Sequence, residues 1–175
     1  MWLAIQSLLA RVSRLTRKRD AVSFPHVTRF KKRASAGPPA IVGLVFDERD
    51  RRLLTGLGSR NQWSMSFADT IEGVQALSQQ LTASVILCDR DAAGREWWEA
   101  VQRLSSSAHD PCVVLISRIV DDYLLNEVVR RGGYDVLTKP LREEEAGRAI
   151  KLADIYWNAS GRNGSHRSRA ATLKI

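Results

Sequence analysis

Short apolar runs alternate with helical patterns five times through the middle of the chain. The runs that predict strands span residues 41–46, 63–67, 85–88, 112–116 and 134–137. Four of them are almost continuously apolar, which is typical of strands buried on both faces of a parallel sheet. The run at 63–67 alternates apolar and polar residues, so it predicts a strand at an edge of the sheet.

Apolar residues at helical spacing follow these runs along the chain. After the second to fifth runs they are Ile71, Val74, Leu77 and Leu81; Trp97, Trp98, Val101 and Leu104; Leu124, Leu125, Val128 and Val129; and Ala146, Ala149, Ile150 and Ala153. A strand followed by a helix, repeated five times, predicts an α/β fold with a doubly wound parallel sheet and right-handed crossovers.

Polar side chains follow four of the five predicted strands. Asp47, Asp89, Ser117 and Lys139 come after the first, third, fourth and fifth strands. Doubly wound sheets bind their ligands beyond the carboxyl ends of the strands, and those ends share one rim of the sheet. The sequence therefore predicts a functional site on this rim.

Three of these strand ends resemble the signature strand ends of bacterial response-regulator receiver domains. They read Val-Ile-Leu-Cys-Asp89, Val-Val-Leu-Ile-Ser117 and Val-Leu-Thr-Lys139-Pro140. The resemblance implies a flavodoxin-like receiver fold, with a five-stranded parallel sheet in the order 2-1-3-4-5. It also implies a stand-alone, cytoplasmic phosphoprotein of a two-component regulatory system. Such a domain signals through protein contacts and catalyses at most its own phosphorylation and dephosphorylation.

The resemblance also assigns roles to individual residues. Asp89 would accept a phosphoryl group from a sensor histidine kinase or a phosphotransfer protein, and Ser117 and Lys139 would contact the phosphoryl oxygens. Magnesium would be held by Asp47, Asp89 and the backbone carbonyl of Asp91. The Lys-Pro bond that begins at Lys139 is typically cis in such domains. The downstream protein partner is not specified by these motifs.

The end of the first predicted strand departs from the receiver pattern. Receivers carry two or three consecutive acids there, whereas this chain has Val45 and Phe46, with Asp47 one place late. A one-residue gap in the alignment would let Asp47 serve as a ligand. In either alignment at least one carboxylate is missing, which predicts a weakened magnesium site.

Three other residues are expected to modulate the site. Arg118 stands where receivers carry a small residue, so its guanidinium would block the pocket or supply a positive charge. Val136 stands where receivers often carry an aromatic ring, and Tyr134, two residues earlier, is expected to face the same side of the strand.

These departures leave a second interpretation open, a phosphorylation-independent pseudo-receiver that acts as a constitutive protein-interaction module. A third, an unrelated nucleotide-binding protein, is disfavoured because no glycine-rich phosphate loop follows the first strand.

The net charge of +8 is unevenly distributed along the chain. Residues 1–37 carry nine Lys/Arg against Asp20, residues 38–157 carry 14 basic and 18 acidic side chains, and residues 158–175 carry four basic side chains and no acid. We therefore expect a basic amphipathic extension and linker (1–39), a receiver domain (40–157) and a disordered basic tail (158–175). Because the body is acidic, we expect no direct DNA binding.

The first 19 residues have the pattern of an amphipathic helix. Residues 1–19 combine apolar positions at helical spacing with clustered arginines, which would suit an anionic membrane surface or a partner groove. We nevertheless expect no membrane binding by this segment.

Cys88 and Cys112 lie within apolar runs and are expected to be buried free thiols.

Overall fold

Five apolar runs form one parallel sheet in the computed structural model, which describes residues 37–160. The strands are β1 (Ala40–Leu44), β2 (Ser64–Phe67), β3 (Val85–Asp89), β4 (Cys112–Ser117) and β5 (Asp135–Thr138). Their order across the sheet is β2-β1-β3-β4-β5, and every neighbouring pair is parallel. The predicted doubly wound α/β fold and strand order are therefore confirmed.

Helices connect the strands and cover both faces of the sheet. They are α1 (Glu48–Asn61), α2 (Ile71–Leu81), the single turn α3 (Arg90–Ala93), α4 (Trp97–Ser105), α5 (Asp122–Arg130) and α6 (Glu143–Ser160). The first three residues of the predicted disordered tail belong to α6, so that boundary was placed too early. Strand β2 lies at an edge and none of its residues is fully buried, as its alternating sequence predicted.

Successive residues of each strand point to opposite faces, and two apolar layers result. On one face, α1 and α6 pack over Ile41, Val45, Leu87, Ile116 and Leu137. On the other face, α2, α4 and α5 pack over Val42, Leu44, Ile86, Cys88, Val113 and Leu115. Full burial of such side chains stabilises a fold by roughly 1.5–3 kcal/mol each, so the two layers provide the main driving force for folding.

The same alternation decides where the polar strand ends point. Asp89 lies two residues after Leu87, and Lys139 lies two residues after Leu137, so both are placed on the face covered by α1 and α6. Ser117 directly follows Ile116 and is placed on the opposite face. The three residues that resemble a receiver site therefore share a rim but not a face.

Tyr134 lies outside β5, contrary to the sequence-based strand boundary. A turn that contains Gly132, whose φ of 85° suits glycine, leads into the strand, which begins at Asp135. Tyr134 packs against the layer under α1 and α6, where its ring lies 5.2 Å from that of Tyr156, while Val136 packs against the other layer. The expectation that both face one side was wrong, because strand alternation does not extend to Tyr134.

Both cysteines are buried and free, as predicted. Burial raises the pKa of the Cys88 and Cys112 thiols to about 12. No helix within residues 37–160 is long and apolar enough to cross a membrane. Residues 1–36 and 161–175 of the predicted basic arms, which include the membrane-compatible segment at residues 1–19, lie outside the described residues.

Candidate functional site

Asp89 is a buried carboxylate at the end of the central strand β3, with only 2% of its surface exposed. Its Oδ1 accepts a hydrogen bond of 3.1 Å from the backbone N–H of Asp91, which makes Asp89 the N-cap of α3. Its Oδ2 accepts a hydrogen bond of 2.6 Å from Nζ of Lys139. A charge-assisted bond of this length holds the buried carboxylate in one orientation.

Lys139 follows β5 and reaches across the rim towards β3. Its backbone N–H donates to the carbonyl of Ser117 at 2.9 Å, which fixes where the side chain starts. Its peptide bond to Pro140 is cis, as the resemblance implied. Its Nζ also lies 3.2 Å from Oδ2 of Asp50, so one ammonium is shared by two carboxylates.

The pKa of Lys139 reflects two opposing effects. Burial alone would lower the pKa, since it disfavours the charged ammonium. The hydrogen bonds and negative charges of Asp89 and Asp50 outweigh burial and raise the pKa of Lys139 above its ordinary value. The ammonium therefore stays charged at neutral pH, although its side chain is only 10% exposed.

Asp50 is a site residue that the sequence analysis missed. It lies in the first turn of α1 and its side chain is 12% exposed. Asp50, Leu54 and Leu57 occupy positions i, i+4 and i+7, the buried stripe of this helix. The signal in the sequence is the helical spacing of Asp50 with Leu54 and Leu57. The sequence analysis considered only acids at the end of the first predicted strand.

Asp47 lies at the start of α1, where it caps the helix. Its Oδ1 accepts hydrogen bonds from the backbone N–H groups of Arg49 at 2.8 Å and Asp50 at 3.3 Å. These bonds lower the pKa of Asp47, which is exposed. Val45 is fully buried in the apolar layer and Phe46 is 54% exposed, so neither supplies the acid that receivers carry at this strand end.

The carboxylates predicted to bind magnesium are engaged in other hydrogen bonds. Within residues 37–160, no three His, Cys, Asp or Glu side chains lie close enough together to hold a metal ion. Asp47 is engaged as a helix cap, and both oxygens of Asp89 already accept hydrogen bonds. The predicted site is therefore not preformed, and magnesium binding by Asp47, Asp89 and the backbone carbonyl of Asp91 stays a prediction.

Ser117 is buried at the end of β4 but bonds within its own loop. Its Oγ donates to the carbonyl of Ile119 at 2.7 Å and accepts from the backbone N–H of Ile119 at 3.3 Å. This follows from strand alternation, which places Ser117 on the face opposite to Asp89. Its predicted contact with a phosphoryl group stays a prediction.

Arg118 pairs with Asp91 and not with Asp89. Its Nε lies 2.9 Å from Oδ2 of Asp91, and the two side chains are 72% and 55% exposed. This ion pair joins the loop after β4 to α3, the single turn that begins directly after Asp89. The counter-ion of Asp89 is Lys139, so Arg118 does not fill that role in this structure.

The contacts of Asp89, Lys139 and Asp50 indicate what the site can do chemically. It presents one carboxylate at the rim of the sheet, fixed by a compact ammonium that is itself held by a second carboxylate. An oriented carboxylate can act as a nucleophile, and an ammonium beside it can neutralise negative charge that an incoming group brings.

Comparison with known proteins identifies the fold. No protein-family model and no curated protein matches the chain. Among solved structures, it is similar to a response regulator from Thermotoga maritima, with 16% identity and a TM-score of 0.61 over 67% of this chain and 98% of that one. The chemotaxis protein CheY4 of Vibrio cholerae shares 13% identity and a TM-score of 0.60 over 67% of this chain and 99% of its own.

A third similar structure is described as a CheY-like protein, tadZ, from Pseudomonas aeruginosa. It shares 20% identity and a TM-score of 0.54, over 66% of this chain and 98% of its own. At these identities the likeness concerns the fold alone. Residues 37–160 thus have the flavodoxin-like fold of response-regulator receiver domains.

Proposed function

We propose that this chain is a receiver domain of a two-component phosphorelay and accepts a phosphoryl group on Asp89. The observation that carries the proposal is the buried carboxylate of Asp89, held 2.6 Å from the ammonium of Lys139 at the carboxyl end of a receiver-type sheet. The likeness to response regulators supports the general role, since their fold is the fold of this domain.

The proposed reaction forms an acyl phosphate. A carboxylate oxygen of Asp89 attacks the phosphorus of a phosphohistidine on a sensor histidine kinase or a phosphotransfer protein. The P–N bond breaks, and its electron pair leaves with the imidazole nitrogen. The new phosphoryl group brings negative charge to the rim, and the ammonium of Lys139 offsets that charge as a point cation. Magnesium would add further positive charge, but no step here depends on it.

The proposed output is a change in protein contacts, for which the surface of α5 and α6 is suited. Tyr123 on α5 is 74% exposed, and Leu152, Ile155 and Tyr156 on α6 are each about half exposed. Lone exposed apolar residues are ordinary, but several on two helices that both contact the edge strand β5 favour a protein-binding surface. The partner itself stays undefined by these residues.

The test is intact-protein mass spectrometry after incubation of the full chain with acetyl phosphate, with and without Mg²⁺. We expect the native protein to gain the mass of one phosphoryl group, and Asp89→Asn to gain none. The substitution keeps the shape of the side chain but removes the nucleophilic oxygen anion. Modification of both proteins would place the acceptor elsewhere in the chain.

A specific observation favours a second candidate, the phosphorylation-independent pseudo-receiver. Asp89 is already neutralised by Lys139, Asp47 is engaged as a cap, and Arg118 and Asp91 form an ion pair beside the site. In this function the domain would bind its partner constitutively. Absence of phosphorylation in the native protein, together with unchanged folding of Asp89→Asn, would favour this candidate.

A further inference from the structure

Asp50 and Asp89 are the two charged side chains that are buried within residues 37–160. They come from different elements, α1 and β3, and they meet at one cation, Lys139. Removing a carboxylate from water costs free energy that only a close and well-placed cation offsets. Two such carboxylates therefore depend on one ammonium.

The start of α1 determines where Asp50 lies. Asp47 caps the helix and accepts a hydrogen bond from the backbone N–H of Asp50, which fixes the backbone of the first turn. Helical periodicity then directs Asp50 onto the stripe of Leu54 and Leu57, which faces the sheet. The carboxylate of Asp50 is thus carried over the rim by a rigid helix, not by a loop.

Lys139 has a long side chain with four rotatable bonds, which a single partner holds poorly. Asp89 supplies one partner, but in the proposed function the charge and shape of Asp89 change each time a phosphoryl group is gained or lost. Asp50 is 3.2 Å from the same ammonium and lies on a different element. It can hold the Lys139 ammonium at the rim throughout that change.

We propose that Asp50 is a positioning residue for the acceptor site, which holds the Lys139 ammonium in reach of the group transferred to Asp89. This inference rests on the proposed function, because the positioning matters for the reaction only if Asp89 accepts a phosphoryl group. In this role a carboxylate on the first turn of α1 provides a fixed negative charge, which Val45 and Phe46, the two residues after β1, do not provide.

The first experiment measures the position of Lys139 in the unphosphorylated full chain. A limiting amount of an amine-acylating reagent is added at neutral pH, and modification is quantified by peptide mass spectrometry. Lys151, which is exposed on α6, is the internal reference for reagent dose. We expect Asp50→Asn to raise modification of Lys139 several-fold, with Lys151 unchanged. Asp50→Glu, which keeps the carboxylate, should stay nearer to the native value.

Glu48→Gln is the matched control. Glu48 lies in the same turn of α1, and its substitution removes the same charge. Unlike Asp50, Glu48 is exposed, and its only ion pair within residues 37–160 is a weak one with Arg52 at 3.8 Å. It should leave modification of Lys139 at the native level. Should Asp50→Asn fail to fold, Asp50→Ser removes the same carboxylate with a residue that the start of a helix accepts.

The second experiment measures the rate of phosphoryl incorporation from acetyl phosphate in the same proteins. We expect Asp50→Asn to be slower by about tenfold or more, as for other misplaced catalytic groups, and Glu48→Gln to match the native rate. Unchanged modification of Lys139 in Asp50→Asn would overturn the inference. So would a native rate of phosphorylation in that variant.

The two measurements separate the inference from the proposed function. If Lys139 becomes reactive in Asp50→Asn while no protein, native included, takes up phosphate, then the proposed function fails. The positioning of Lys139 by Asp50 would stand in that case.

Discussion

Two sets of ion pairs flank the strand end that carries Asp89, and they differ in burial. On the side of α1 and α6, Lys139 bridges Asp50 and Asp89, and all three side chains are at most 12% exposed. On the outer side, Arg118 and Asp91 form a pair at 2.9 Å in which both side chains are more than half exposed. The two sets therefore have similar nitrogen–oxygen distances but differ strongly in their exposure to solvent.

The difference in burial indicates which charged side chains matter for stability. In a buried site, loss of one partner leaves an uncompensated charge away from water, which is strongly destabilising. In an exposed pair, water solvates either partner, and salt screens their attraction. We therefore expect the inner set to control stability and the outer pair to control access to Asp89.

The largest effect is expected from removal of the shared cation. Lys139→Met leaves the carboxylates of Asp50 and Asp89 buried without a counter-ion, and we expect a loss of about 3–5 kcal/mol in the free energy of unfolding. Urea denaturation at pH 7 measures this loss in the free energy of unfolding. Lys151→Met, at an exposed lysine of α6, should change little. A loss no larger than in that control would mean that the inner charges are well solvated.

A second prediction concerns alkaline pH. Hydrogen bonds and charges from Asp89 and Asp50 outweigh burial and raise the pKa of Lys139 in the folded state above the value of 10.5 that applies to an unperturbed lysine. The folded state therefore keeps this proton when the unfolded state has lost it. The resulting stability is complete below pH 10.5 and is lost as the pH rises through the higher, folded pKa.

This predicts a steeper loss of stability above pH 10.5 in the native protein than in Lys139→Met. The buried thiols of Cys88 and Cys112, whose pKa is raised to about 12, also favour the folded state below pH 9 and lose that effect at alkaline pH, but equally in both proteins. Arg118→Met should keep the native pH profile. Chemical denaturation at pH 9, 10.5 and 11.5 would make the comparison, and parallel profiles would contradict it.

A smaller effect is expected at Asp47, the N-cap of α1. Asp47→Ala removes the acceptor for two backbone N–H groups and should lower the unfolding midpoint by less than Lys139→Met, whereas Asp47→Ser should restore most of the loss. Backbone hydrogen bonds lower the pKa of Asp47, so this contribution is present above pH 3.8 and is lost as the pH falls through the lower, folded pKa.

The same pair of variants tests Asp47 as a magnesium ligand. If it binds the metal, Mg²⁺ should change the fluorescence of Trp63, Trp97 and Trp98 in the native protein, and both variants should lose that change. A native response in Asp47→Ser, which keeps the cap but not the carboxylate, would remove Asp47 from the metal site.

The smallest effect on stability is expected for the outer pair. Arg118→Ala removes an exposed ion pair and should cost about 0.5 kcal/mol or less. It should nevertheless speed phosphorylation by small donors, because a long side chain no longer narrows the approach to Asp89. Arg52→Ala, which breaks another pair in which both side chains are exposed, at 72% and 71%, is the control. Equal phosphorylation rates in both variants would exclude Arg118 as a barrier.

The sheet could be predicted because its signals are local. Near-continuous apolar runs mark strands buried on both faces, and the alternation at 63–67 marked β2 as an edge strand. The strand boundaries next to turns could not be predicted in the same way. At the start of β5, the backbone turn at Gly132 ended the alternation that would have placed Tyr134 beside Val136.

Which residues lie on the rim could be predicted from the sequence alone, since parallel strands end on the same side, Asp89 and Ser117 end β3 and β4, and Lys139 directly follows β5. Which of these side chains contact one another depends on the tertiary structure. Strand alternation turned Ser117 towards the other face, and the 3.6-residue period of α1 brought Asp50 over the rim to Lys139. Contacts between elements far apart in the chain depend on how a helix is rotated over the sheet, and packing of Leu54 and Leu57 sets that rotation.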